Sequence, residues 1–137
     1  MLRISPSSVS TERASVRRAL QDRPVRVAVW DIDNVFPSLS HTLERMNRAQ
    51  PTFGFELAAL SVPIDAWDVD QRAGDDTPYL WAEKLAGRLK DITVELRVNV
   101  LACITRHWMR DDEVRNLYSW WPAKKKATGH HIFLRRI

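Results

Sequence analysis

The sequence predicts an α/β fold: a small, mostly parallel sheet in β-α-β-α-β order with a C-terminal β-hairpin. Two observations carry this. Apolar, β-branched runs such as VRVAVWDI and VNVLACIT alternate with stretches whose apolar residues recur at helical spacing. Near the end, two aromatic or aliphatic runs flank the turn-like PAKKKATG. Alternation of strands and helices favours parallel pairing through right-handed crossovers.

Residues 1–24 form a basic lead, expected to be partly disordered or a short helix over TERASVRRALQD capped by Thr11. Residues 25–137 are expected to be a single α/β domain. After the break at Pro24, Val25–Ile32 reads as the first strand. In PSLSHTLERMNRA, Leu39, Leu43 and Met46 share a helical face, and Pro37 suits a first turn where no amide donor is needed. FGFELAALSV sets Phe53, Phe55, Leu57 and Ala59 on one side of a second strand.

PIDAWDVDQRAGDDTP has a loop composition, rich in Asp, Pro and Gly. Thr77 then caps a helix with Pro78 in its first turn and a stripe of Trp81, Leu85, Leu89, Ile92 and Leu96. Gly87 within it either costs up to ~1 kcal/mol or allows a close neighbour. Val98–Thr105 reads as a strand buried on both faces, and Leu117–Trp121 with His131–Arg136 as the hairpin.

A chain of 137 residues with 45% hydrophobic content suits one core. No run approaches the ~18 apolar residues of a membrane span, and the N-terminus carries charges where a signal peptide is apolar, so a cytoplasmic protein with no membrane partner is expected. The lone Cys103 cannot form an internal disulfide and reads as a small core hydrophobe. The net charge of +4 is unevenly spread. Residues 1–28 carry six Arg against two acids, residues 29–103 seven bases against twelve, and residues 104–137 eight against three. Basic ends suit nucleic acid if they meet on one face, and ordinary solvated charge if they do not.

In an open parallel sheet, ligands bind beyond the carboxyl ends of the strands. That rule selects Asp31, Asp33 and Asn34 after the first strand, Ser61 after the second, and Thr105, Arg106 and His107 after the third. Two carboxylates at i and i+2 suit a shared Mg2+ ion and phosphoryl transfer. DIDNV resembles the first motif of haloacid-dehalogenase-type phosphohydrolases; the resemblance implies Asp31 as nucleophile and Asp33 as acid and base. VAVWDIDNVFPSL also resembles the opening of metal-dependent nuclease domains with a D-x-[DE]-N signature. Here TRHWM follows the third strand, where the nuclease pattern has an acidic pair. The other reading of these residues is local: Asp33 or Asn34 turns the chain and Asp31 pairs with a basic neighbour.

The sequence offers little else to hold a metal. From Asp68, the fifth, sixth and twelfth positions are Arg72, Ala73 and Tyr79, which is not a calcium loop. His130 and His131 are adjacent, and there is no HExxH or CxxC. The final strand IFLRRI has little sequence after it to cover an apolar face, which an incomplete piece of a larger fold, a partner subunit or a self-dimer would explain equally well; as fold analogy only, the strand and helix order is similar to that preceding the HExxH helix of zincin-type metalloproteases.

Six tryptophans are heavy usage, and Trp108, Tyr118, Trp120 and Trp121 gather in the C-terminal third beside Arg106, Arg110 and Arg115. Aromatic residues with arginine are common interface anchors. The leading expectation is a non-catalytic interaction or regulatory domain, without a cofactor, binding a protein partner or a second copy through this third. The alternatives are an Mg2+-dependent phosphohydrolase or nuclease using Asp31 and Asp33, and nucleic-acid binding through the basic ends.

Overall fold

A computed structural model describes Leu20 and residues 22–61, 69–70, 79–114, 116–122 and 131–137. It is a mixed α/β fold with a mostly parallel five-stranded sheet. The strands are β1 (Val25–Asp31), β2 (Phe53–Leu57), β5 (Val100–Thr105), β7 (Ser119–Trp120) and β8 (His131–Arg136), in the order β2-β1-β5-β8-β7. β2, β1, β5 and β8 run parallel, and β7 closes one edge antiparallel to β8, as the C-terminal hairpin predicted.

A second sheet interrupts the expected β-α-β-α-β order. β3 (Val69–Asp70) pairs antiparallel with β4 (Tyr79–Trp81), which pairs parallel with β6 (Trp108–Arg110). The predicted loop therefore contributes one short strand, β3, and β4 occupies the start of the stretch expected to be helical. Trp81 ends β4 instead of joining the helical stripe, and α2 spans Ala82–Glu95. Thr77 and Pro78, expected to start that helix, lie outside the described residues, as do residues 1–19 of the lead.

α2 buries Ala82, Leu85 and Leu89 against one face of the main sheet, meeting Ala28, Trp30, Leu101, Cys103, Ile132 and Leu134; Leu80 and Met109 of the small sheet join the same cluster. Each leucine so buried contributes about 1.5–3 kcal/mol. The cluster raises the Cys103 thiol's pKa through desolvation, which keeps the thiol protonated and inert. Arg97, with φ 55°, ends α2 in a left-handed conformation: its amide donates to Val94 O at 3.0 Å and that of Val98 to Thr93 O at 3.4 Å. This is a Schellman stop with arginine where glycine is usual.

The opposite face is covered by α1 (Leu39–Ala49), which sets Leu39 and Leu43 on Val27 and Val29. Its cover does not extend across the sheet. β1 is buried on both sides, but in β5 only Leu101, Cys103 and Thr105 are fully buried, while Val100, Ala102 and Ile104 on the α1 side are partly buried against the α1-side cluster. The expectation that this strand is buried on both faces is thus corrected: among the described residues no helix lies over β5 and β8 on that side.

β2 ends at Leu57, earlier than the sequence suggests, and is an edge strand. Its outward backbone groups are matched by carboxamides from the end of α1. Asn47 accepts from Phe55 N at 2.7 Å and donates to Phe55 O at 2.8 Å, and Gln50 accepts from Phe53 N at 2.7 Å and donates to Phe53 O at 2.9 Å. Two side chains thus stand in for a neighbouring strand. Arg23 braces the same corner by donating to the carbonyls of Gln50 and Asn47 at 2.5 and 3.1 Å.

Candidate functional site

β1 leads to β2 on one side, and the chain crosses to β5 on the other, so the carboxyl ends of β1 and β5 form the switch point of the sheet. Ile32 N donates to Ile104 O at 3.0 Å, carrying the pairing past the end of β1. The chain then turns at Asn34, whose φ of 53° an asparagine tolerates better than most residues.

The two aspartates divide the work of holding this turn. Asp31 accepts from Val35 N at 2.8 Å through Oδ1 and from Phe36 N at 2.7 Å through Oδ2, closing the loop ahead of α1. Asp33 reaches across the switch point. Its Oδ2 accepts from Thr105 Oγ1 at 2.6 Å and from Arg106 N at 2.7 Å, and His107 Nδ1 lies 3.1 Å from Oδ1.

The proton positions follow from counting donors. Thr105 has one hydroxyl proton, which goes to Asp33, and its oxygen accepts from His107 N at 3.0 Å. A carboxylate only accepts, so His107 Nδ1 carries the proton that faces it. Partial burial pushes the Asp33 carboxyl upward; the Thr105 hydroxyl, the Arg106 amide and the His107 ring together outweigh it and hold the pKa below the ordinary carboxylate value.

Asp33, Thr105, Arg106 and His107, selected separately from sequence, are therefore in direct contact. Asp31 and Asn34 lie on the other side of the turn, in a cleft of about 380 Å3 that also touches Trp30, Phe36, Ser40 and Leu60. Ser61 is exposed and lies outside that cleft. Each aspartate accepts hydrogen bonds from protein donors, and the described residues contain no group of three His, Cys, Asp or Glu side chains able to hold an ion.

The aromatic residues fall on two faces. Trp108 (38% exposed) and Tyr118 (59% exposed) both pack on Arg136, whose Cζ lies 3.7 Å and 5.2 Å from their ring centroids. Arg136 NH1 also donates to Asn116 Oδ1 at 3.2 Å, while its buried Nε has no partner among the described residues. Tyr79 meets Trp108 edge to face at 6.3 Å. Trp121, also exposed, stacks on His131 at 5.9 Å and meets Phe133 edge to face at 5.5 Å. Trp120 is different: it is half-buried and packed against the main core.

Sequence reasoning grouped the rim by topology but missed Arg136, whose partners come from β6 and the approach to β7. No helix among the described residues is long and apolar enough to cross a membrane. No protein-family model, curated protein or solved structure matches the chain.

Proposed function

We propose that the chain is a non-catalytic α/β interaction domain that binds a protein partner through the aromatic and basic surface of its C-terminal third. The observation that supports this most is Arg136 held beneath two exposed rings, Trp108 and Tyr118. Aromatic and arginine side chains dominate interface energetics, and a surface already ordered by mutual packing loses less side-chain freedom on binding.

The two DIDN aspartates are consistent with the same reading: Asp31 accepts the amides that close the turn, and Asp33 accepts donors that join the ends of β1 and β5.

The test is affinity capture from an extract of the native host with wild-type chain and a Trp108→Ala, Tyr118→Ala variant. The reading expects a protein retained by the wild type and lost with the variant, at unchanged thermal stability. Equal capture by both removes this surface from the account. A second reading, nucleic-acid binding, draws on the exposed Arg106 and Arg135 at the ends of β5 and β8; it expects binding that falls steeply with salt.

A further inference from the structure

We infer that Arg136, in its stack with Trp108 and Tyr118, is the receptor for a carboxylate of the partner, and that the partner segment is an acidic peptide with an apolar residue beside the acid. The inference rests on the protein-binding reading and adds the chemistry of the partner.

The guanidinium is held in place but left incomplete. Its Cζ lies 3.7 Å from the Trp108 ring centroid and 5.2 Å from that of Tyr118. The backbone ties the elements of the stack together: Arg136 N donates to Tyr118 O at 2.7 Å, Leu117 N to Met109 O at 2.8 Å and Ile137 N to Thr105 O at 2.8 Å. Nη1 donates to the neutral Asn116 Oδ1 at 3.2 Å, and neither the buried Nε nor Nη2 meets an acceptor among the described residues. A buried donor without an acceptor is costly, and a partner that supplies the acceptor recovers that cost.

The chain's own acids do not complete it. The strands that carry the stack, β6, β7 and β8, hold no carboxylate. Between β6 and β7, Asp111 Oδ1 accepts from the amides of Glu113 and Val114 at 2.8 and 2.6 Å, and Asp112 lies against Glu83 in the first turn of α2. Arg106 and Arg135, exposed at the carboxyl ends of β5 and β8, form no ion pair among the described residues either. They add positive potential along the same rim, which draws an acidic partner.

Geometry selects a carboxylate. With Trp108 over its face, the guanidinium is reached in its own plane, along the edge made by Nε and Nη2. A planar carboxylate sets both oxygens in that plane and accepts from both nitrogens. A tetrahedral phosphate sends oxygens out of the plane, toward the rings. Contact begins at Nη2, which is not buried, and closes on Nε. Tyr118, the more exposed of the two rings, gives the apolar residue beside the acid a surface to pack on.

The probe is the end-blocked synthetic peptide GSDLELDGS, compared with its carboxamide twin GSNLQLNGS, with inorganic phosphate and with single-stranded oligothymidylate. Each is titrated into the full chain while the Nε–H signal of Arg136 is followed by NMR. The acidic peptide is expected to move that signal downfield, to bind roughly tenfold more tightly than its twin, and to weaken as salt is raised. Arg136→Lys keeps the charge but not the planar edge, and is expected to lose roughly tenfold in affinity. Arg135→Gln, outside the stack, is expected to lose about twofold.

A stationary Nε–H signal in the wild type, equal affinity for the twin, or equal losses from Arg136→Lys and Arg135→Gln overturns the inference. Displacement of the acidic peptide by a lower concentration of phosphate or oligothymidylate assigns the edge to a phosphate group and overturns it as well. Peptide failure alongside capture that still depends on Trp108 and Tyr118 removes only the carboxylate receptor; loss of that dependence removes the underlying reading.

Discussion

Asp33, two residues beyond β1, accepts a 2.6 Å hydrogen bond from Thr105, the last residue of β5, so one carboxylate joins the two strands at the switch point of the sheet. Thr105 is fully buried and the Arg106 amide shares the same oxygen. Removing the acceptor leaves these donors unmatched. Asp33→Ala is expected to cost about 2 kcal/mol in urea unfolding, and Asp33→Asn less because it keeps one oxygen. In a double-mutant cycle with Thr105→Val, the two substitutions are expected to couple; additivity within ~0.3 kcal/mol would mean that the contact is not formed.

The same carboxylate gives a pH dependence of known sign. Its pKa is lower folded than the ordinary 3.8, so its contribution is complete above the unfolded value and is lost as pH falls through the folded one. The stability difference between wild type and Asp33→Asn is expected to be level down to about pH 5 and to shrink below about pH 4. A difference that grows on acidification contradicts the assignment.

Two glycines are expected to respond in opposite directions to alanine. A Cβ on Gly54 would lie 2.9 Å from Arg23 Cγ and 3.0 Å from the Leu20 carbonyl oxygen, whereas one on Gly87 meets nothing within 4 Å. Gly87→Ala should therefore stabilise α2 by up to ~1 kcal/mol, since no close neighbour needs the glycine. Gly54→Ala should destabilise by about 1 kcal/mol or more, because the backbone oxygen of Leu20 must move. Thermal melts of both variants decide the matter.

The carboxamides at the β2 edge make a prediction about association. Asn47→Leu and Gln50→Leu leave the outward groups of Phe53 and Phe55 open beside the exposed Phe53 and Leu57 side chains. The double variant is expected to self-associate at concentrations where the wild type does not, by light scattering. An unchanged mass would show that the edge needs no such cover.

The sequence made the long, periodic elements legible, for reasons visible in particular residues. Leu85 and Leu89 mark α2, Leu39 and Leu43 mark α1, and the β-branched run from Val25 marks β1. The small sheet was not legible, because pairings of two or three residues show no period; Leu80 and Met109 are fully buried, but each sits among polar or aromatic neighbours that hide it. The end of α2 was hidden because arginine, not glycine, takes the left-handed position. At the rim, strand-end topology brought Asp33, Thr105, Arg106 and His107 to one place correctly. It could not say that their hydrogen bonds face one another across the ends of β1 and β5.

The central claim, that the DIDN loop braces the sheet while the Arg136 stack meets a partner, is tested most directly by site-specific photo-crosslinking in living cells. A crosslinking side chain at position 118 is compared with one at position 34. The account predicts protein adducts at 118 that disappear with Trp108→Ala, and none at 34. Adducts at 34 that survive Trp108→Ala, with none at 118, would contradict it.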